Sequence, residues 1–339
     1  MKKLSLFENF LFLINSVSAF LFLLSLVIPY VKPTFLSYFS ILGLFSPIII
    51  TVNILFLFFW IAKLKRHFLL SLFVLLIGND SVRNFINFSN NSRFADENKI
   101  SLISYNVRLF NLYDWIKVDN VNLKIQNFLM EKNFDIICLQ EYQNSDFFLD
   151  PYPYKYENLR GDKLKYGQAI FSKYPIISKG SLNFESRSNN AIFSDIKINN
   201  DTIRVYNVHL ESFSLDNQIE LTDMSNGNDK IFKNLSSTFI EQEKQLSILT
   251  KSISKSPHKV IVSGDFNNTA FSYVYKSLIN NLKDCFKEKG NGFGITFNYN
   301  FIPLRIDFIL IDFGLKVNRF KTYKIDYSDH EPIYSEIIF

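Results

Sequence analysis

Cysteine is nearly absent from this chain: its 339 residues include two, Cys138 and Cys285. Two thiols make no disulfide framework, so cysteine usage fixes no redox compartment, and neither thiol lies in a metal-ligand spacing. Cys138 falls inside "DIICLQ", where a small buried hydrophobe is the expected role. No internal repeat is present. No Lys/Arg-rich run interleaves with aromatics, which argues against a duplex-DNA footprint. The net charge of +5 suits an anionic substrate or an anionic membrane surface and is specific to neither.

Charge is wholly missing from two long stretches, Phe10 to Tyr30 and Tyr38 to Ala62. Each reaches the roughly 20 residues a helix needs to cross a bilayer core. The first is too long for the apolar region of a cleaved leader, and a second span follows at once. A shorter apolar run begins at Phe68 and extends toward residue 86 if Asp80 and Arg83 lie at headgroup level. Lys2 and Lys3 precede the first run, "KLKRH" (Lys63 to His67) follows the second, and only Lys32 lies between. This places the N-terminus and the basic loop in the cytoplasm. If the third run crosses, as we expect, the rest of the chain is extracytoplasmic; if it only lies in the interface, the soluble domain is cytoplasmic. The expected organisation is thus a multi-pass membrane region (1–86), a polar linker (87–98) and a soluble domain (99–339). The partner this region implies is the lipid bilayer, with no obligate protein partner evident.

From Lys99 onward, β-branched and aromatic stretches bounded by Gly, Pro, Asn or Asp dominate. Helical periodicity is confined to Val121–Asn133, Ser237–Ser256 and about Ala270–Leu282. Many strands with few helices predict an α+β fold: two packed, mainly antiparallel sheets with helices outside.

The strands end on polar residues. "SLISYN" ends on Asn106 with Arg108 just beyond, "DIICLQE" on Glu141, "VYNVHLES" carries Asn207 and His209, and "VIVSGDFN" supplies Asp265 and Asn267. Asp307 lies in "RIDFIL", and Asp329 and His330 close "YSDHEPI". A carboxylate in a buried strand costs several kcal/mol unless paired or bound to a cation. If these strand ends converge, Glu141, Asp265, Asp307 and Asp329 form a self-repelling cluster that a hard divalent cation relieves. Oxygen ligands beside carboxamides suit Mg²⁺ or Mn²⁺ rather than Zn²⁺. Asp307 is placed to hold the ring of His330, and His209 to donate to a phosphoryl oxygen. Each residue alone reads equally well as a turn or a satisfied core group; Gly264 and Asn268 are expected to turn the chain. Recurrence at six strand ends points instead to one site. "NNAIFSD" (Asn189 to Asp195) is a similar polar strand entry with no assigned role.

The ordered set "SYN…LQE…GQAIFSKYPI…NVHL…GDFN…RIDFIL…SDHEPI" resembles the endonuclease/exonuclease/phosphatase superfamily, DNase I-like proteins, over about Lys99 to Phe339. That resemblance implies a four-layered α/β sandwich and metal-assisted hydrolysis of a phosphate ester, of nucleic acid or phospholipid. It implies metal ligation around Glu141, Asn106 and Asp329. Catalytic roles fall on His330, Asp265, Asn267, His209 and Asp307, and substrate contacts on Arg108 and Asn207. The alternative is an inactive, membrane-tethered binding module, which would have lost some of the acidic set. The loop Phe213 to Asn234 is expected to overhang the site.

Overall fold

The computed structural model describes residues 4–89, 98–143, 149–161, 164–186, 189–213, 227–299 and 302–339. Most of the expected linker (90–97) and of the loop after Phe213 (214–226) lies outside the described residues. Two six-stranded sheets lie face to face. The first runs, edge to edge, β15 (Lys316–Thr322), β16 (Ile333–Ile338), β2 (Lys99–Asn106), β3 (Ile136–Gln143), β5 (Tyr166–Ser172) and β4 (Tyr154–Arg160). The second runs β10 (Leu282–Asp284), β14 (Asp307–Asp312), β9 (Lys259–Asp265), β8 (Asp201–His209), β7 (Asn190–Ile198) and β6 (Ile176–Ser181). Each sheet contains one parallel pair, β2 with β3 and β8 with β9. Two short pairs lie apart: β1 (Asn87–Phe88) with β11 (Asn291–Gly292), and the hairpin β12 (Phe297–Tyr299) with β13 (Ile302–Leu304).

Alternation along the strands divides the core into layers. Ile100, Leu102, Ile136 and Cys138 meet Ile192, Val205, Ile261 and Ile309 between the sheets. The outer face of the first sheet is covered by Val121, Ile125 and Leu129 of α5 (Val121–Lys132). The outer face of the second takes Leu246 and Leu249 of α6 (Gly227–Ser254) and Val274 and Leu278 of α7 (Tyr273–Ile279). The two packed sheets with outer helices expected from the strand pattern, and the four-layered sandwich that the resemblance implies, are therefore present. α6 begins ten residues before the periodicity suggested, and α7 is the middle of its expected range.

Gly264 is a strand residue, not the turn residue expected. Its φ is +141°, and a Cβ there would stand 1.9 Å from the Val208 carbonyl oxygen. Only glycine lets β8 and β9 approach this closely. The chain bends after it, at Asn267 and Asn268.

Ahead of the sandwich lie α1 (Leu6–Ser25), α2 (Pro33–Ala62), α3 (Phe68–Ile77) and α4 (Asn79–Phe85). Leu6–Tyr30 and Pro33–Ala62 are long and apolar enough to cross a membrane. The third run is broken: α3 and α4 meet at 83°. α3 has ten residues, a rise of about 15 Å, half the thickness of a bilayer core. Polar side chains link the helices: Asn15 donates to Ser71 at 2.8 Å, Trp60 Nε1 to Asn15 Oδ1 at 2.9 Å and Asn53 to Ser18 Oγ at 2.9 Å.

The start of α2 rests on the sandwich. The Thr34 amide donates to Glu243 at 2.8 Å, Ser236 bonds Ser37 at 2.5 Å, and Ile41 packs on Leu235 and Phe239. Asn87, placed in the linker by sequence, is instead buried: its amide donates to the Phe286, Lys287 and Gly290 carbonyls that end the short helix α8 (Cys285–Lys289).

Candidate active site

Strand register assembles the site. Across the second sheet Asn190 stands opposite His209, His209 opposite Asp265, and Asp265 opposite Asp307, so four neighbouring strands each place one polar residue in a single row. Across the first sheet Asn106 stands opposite Gln140, and Glu141 follows. There β3 carries a bulge between Leu139 and Tyr142, with Glu141 at φ +47°. A bulge re-aims one side chain, and Glu141 turns out of the buried run with 28% of its side chain exposed. Asn267 also holds a left-handed backbone, φ +47°, with its amide bonded at 2.8 Å to Asp265 Oδ1. Non-glycine residues in this region carry strain of about 1–3 kcal/mol, a common feature of functional sites.

The two rows meet at Asn106. Its Nδ2 donates to Glu141 Oε1 and to Asp265 Oδ2, both at 3.1 Å, while its Oδ1 accepts from the Arg108 amide at 3.0 Å. Two carboxylates thus face one amide. Burial raises the pKa of Glu141, against the hydrogen bond from Asn106. Burial likewise pushes Asp265 up to about 6, against the pull of His330. A divalent cation at Glu141 would remove the cost of holding these two charges close together.

The histidines are treated oppositely. His330 Nδ1 lies 2.9 Å from Asp307 Oδ2, and its Nε2 lies 3.6 Å from Asp265 Oδ2. Burial disfavours its charge, but Asp307 and Asp265 outweigh that and raise its pKa to about 10. Asp265, Asp307 and His330 bring ligand atoms within 4.8 Å of one another. A protonated ring already bonded to Asp307 reads as an ion-paired acid rather than as a metal ligand. His209 is held neutral, because burial lowers its pKa more than Asp265 raises it. Among the described residues its Nε2 is buried without a hydrogen-bond partner, 3.7 Å from Asp265 Oδ2 and 3.8 Å from Glu141 Oε1. An orphaned buried nitrogen aimed at two carboxylates marks a place prepared for a further group.

The remaining expected residues divide. Asn267 Nδ2 spends one hydrogen on the Leu210 carbonyl at 2.9 Å, leaving a second. Arg108 stacks over Trp115 at 4.5 Å and pairs with Asp329 at 3.2 Å, both partners partly exposed at the rim. Asn207, expected at the substrate, lies instead in the seam between the sheets. It donates to the Leu139 and Ala169 carbonyls and accepts from Gln140 Nε2 at 2.7 Å, which leaves nothing for a ligand. The unassigned "NN" borders the site: Asn189 donates at 2.7 Å to the same Leu210 carbonyl as Asn267. Gln242 of α6 had no sequence signal. Its Nε2 donates to the Asn267 carbonyl at 3.1 Å, and its Oε1 accepts from Asn268 at 2.7 Å, so the helix that touches α2 also holds the loop of Asn267.

A two-sheet sandwich whose paired strand ends converge on buried carboxylates and histidines defines a hydrolase-like class of site. A family model described as Endonuclease/Exonuclease/phosphatase family matches residues 103–330. The chain belongs to that family, whose members hydrolyse phosphoester bonds and generally depend on divalent metal. A second model, described as a domain of unknown function, matches residues 8–85. No curated protein matches. Among solved structures, zebrafish (D. rerio) TDP2 complexed with a single-strand DNA product superimposes with TM-score 0.54 at 18% identity, covering 72% of this chain and 100% of that one. An endonuclease/exonuclease/phosphatase from Beutenbergia cavernae gives 0.54 at 13% identity, covering 71% and 72%. The human Nocturnin catalytic domain, with bound sulfate, gives 0.52 at 15%, covering 72% and 94%. These likenesses show the shared fold.

Proposed function

We propose that this protein is a membrane-anchored phosphodiesterase dependent on Mg²⁺ or Mn²⁺, with its sandwich on the extracytoplasmic side. The observation that carries the chemistry is the His209–Asp265–Asp307 row facing Glu141 across Asn106. Glu141, beside Asn106, would hold the cation, and Asp329 would complete the charge balance beside Arg108. Bound there, a divalent cation supplies Lewis-acid neutralisation of charge developing on the phosphoryl group.

The chain's own groups do the rest. Asp265, raised to about 6, is a base matched to neutral pH, next to Asn267, which orients the attacking water. His330, kept protonated by Asp307, donates to a phosphoryl oxygen, and His209 Nε2 faces the same space from the next strand. Arg108 at the rim binds the non-bridging oxygens. An inactive tethered module would have no use for this set, and every member of it is in place.

Membrane residence is supported by side chains that no water-facing role explains. Phe7, Phe10, Leu13 and Phe20 of α1, Leu55 and Phe58 of α2 and Phe73 and Leu76 of α3 are all exposed. The basic segment Lys63–His67 follows the C-terminal end of α2, whereas the sandwich packs on its N-terminal end. Cytoplasmic placement of those positive charges puts the sandwich outside. A reporter fused after Phe339 tests this side, since an active cytoplasmic reporter contradicts it. The activity is tested with the full chain in detergent on bis-p-nitrophenyl phosphate. Turnover should require Mg²⁺ or Mn²⁺, and turnover unchanged in EDTA would sink the metal requirement.

A further inference from the structure

Between the helical bundle and the sandwich lies an apolar cavity of about 210 Å³, walled by Pro47, Phe85, Ala270, Phe271, Phe293 and Ile295. Its polar lining is limited to Thr269, Asn84 and Arg305. Asn84 donates to the Ala270 carbonyl at 3.1 Å, and Arg305 pairs with Asp284 at 2.7 Å while its Nε is buried with no hydrogen-bond partner among the described residues. The rest of the wall is made of apolar side chains. A dry apolar cavity of about 150 Å³ is enough to take up benzene.

The cavity is built from the same segments as the candidate site. Asn267 stands three residues before Ala270, and Asp307 two residues after Arg305, another lining residue. Fully extended chain spans at most ~3.6 Å per residue, so the wall lies within about 11 Å of Asn267 and about 7 Å of Asp307. Ile295 leads in two residues to Phe297, which bridges to His330 and sets its ring 4.7 Å from the imidazole. The cavity thus lies about one alkyl-chain length from the site at most.

The cavity also sits at a definite level of α2. Up to Gly43 that helix lies against the sandwich, where a Cβ on Gly43 would be 3.1 Å from the Phe271 carbonyl oxygen. From Ile49 on, it packs with Ala19, Phe22 and Val74 of the bundle, and the Phe271 ring joins that cluster. Pro47, in the cavity wall, lies at the changeover. On the membrane reading above, this is the level at which the helix passes from protein cover to lipid, where an acyl chain would leave the bilayer.

We propose that this cavity seats the hydrocarbon tail of the substrate, so that the phosphoester hydrolysed is carried by a membrane lipid rather than by nucleic acid. The inference rests on the phosphodiesterase reading above. In the reaction, water adds across one P–O ester bond: its oxygen joins phosphorus, the ester oxygen leaves with a proton, and an alcohol and a phosphate monoester result.

The test uses the full chain in lipid nanodiscs with p-nitrophenyl phosphate diesters of methyl, ethyl, butyl and hexyl alcohols, which share one leaving group. kcat/KM should rise about fourfold for each methylene that enters the cavity. Ile295→Trp, which fills the cavity, should bring the hexyl-to-methyl ratio close to one. If that variant does not fold, an alkyl phosphonate tipped with a photoreactive diazirine reads the same seat on the unaltered protein. Adducts should fall on Phe85, Phe271 or Phe293. A rate independent of chain length, or adducts confined to other residues, overturns the tail seat. A flat series together with rapid cleavage of plasmid DNA or RNA overturns it in favour of nucleic acid. Absence of methyl-ester turnover at any Mg²⁺ concentration is a different failure: it removes the phosphodiesterase reading, while the photoadducts still report on the cavity.

Discussion

The two walls of the cleft solve the same problem in opposite ways. On the second sheet, charge is neutralised within the protein: Asp307 holds His330 at 2.9 Å, and His330 faces Asp265. On the first sheet, no Lys or Arg side chain contacts Glu141 among the described residues; an amide touches it at 3.1 Å, and the nearest histidine nitrogen is 3.8 Å away. One wall stores a proton and the other awaits a positive charge. On the proposed reading, the difference separates acid–base work from cation binding within a single cleft.

The sharpest break of this contrast is removal of the stored proton. His330→Ala should lower kcat/KM on a small phosphodiester about 10³–10⁴-fold, measured with the full chain at saturating Mg²⁺. A loss below tenfold would show that His330 is structural. His209→Gln should cost about 10²-fold, because a neutral ring contributes a hydrogen bond rather than a charge. Asp307→Asn sharpens the comparison through pH. The folded His330 value of about 10 lies above the ordinary imidazole value near 6.5. The stabilisation from this pair is therefore complete below about 6.5 and is lost as pH rises through about 10. The alkaline limb of kcat/KM should sit near pH 10 in the parent and move down toward ordinary histidine values in Asp307→Asn. An unmoved limb assigns that titration elsewhere. Asn207→Ala should have the smallest effect on chemistry. It strands the partners of a buried amide at about 1–3 kcal/mol each, lowering Tm by several degrees in a thermal melt. Turnover per folded molecule should stay within about twofold; a loss beyond tenfold would return Asn207 to the site.

Asn207 also shows where sequence reading reaches its limit. Asn207 and His209 look alike in sequence, since both are polar, near a strand end and, two residues apart, on one face. His209 reaches the opening between the sheets, while Asn207 lies about 6.7 Å deeper, where the sheets close on it. Periodicity identifies the face but not the depth. Glu141, Asp265, Asp307 and His330 were legible because a carboxylate or imidazole in an apolar strand has few other uses. The pairing of Asp307 with His330 was among the expectations; the bulge that turns Glu141 outward needed register, which pairs strands far apart in the chain. Gln242 was invisible, because a glutamine on an amphipathic helix carries no mark of the loop it holds. The early apolar segment was legible as membrane-like, but Thr34 to Gly43 face the sandwich, and local hydropathy does not distinguish a protein neighbour from a lipid one.

The account stands or falls on which wall takes the cation. Mn²⁺ titration of the full chain by electron paramagnetic resonance, comparing the parent with Glu141→Gln and His330→Ala, measures this directly. Glu141→Gln should weaken binding at least tenfold, while His330→Ala should leave it unchanged or tighter, since a nearby positive charge is gone. Loss of Mn²⁺ binding in His330→Ala with normal binding in Glu141→Gln would place the metal on the second sheet and contradict the division of labour between the walls.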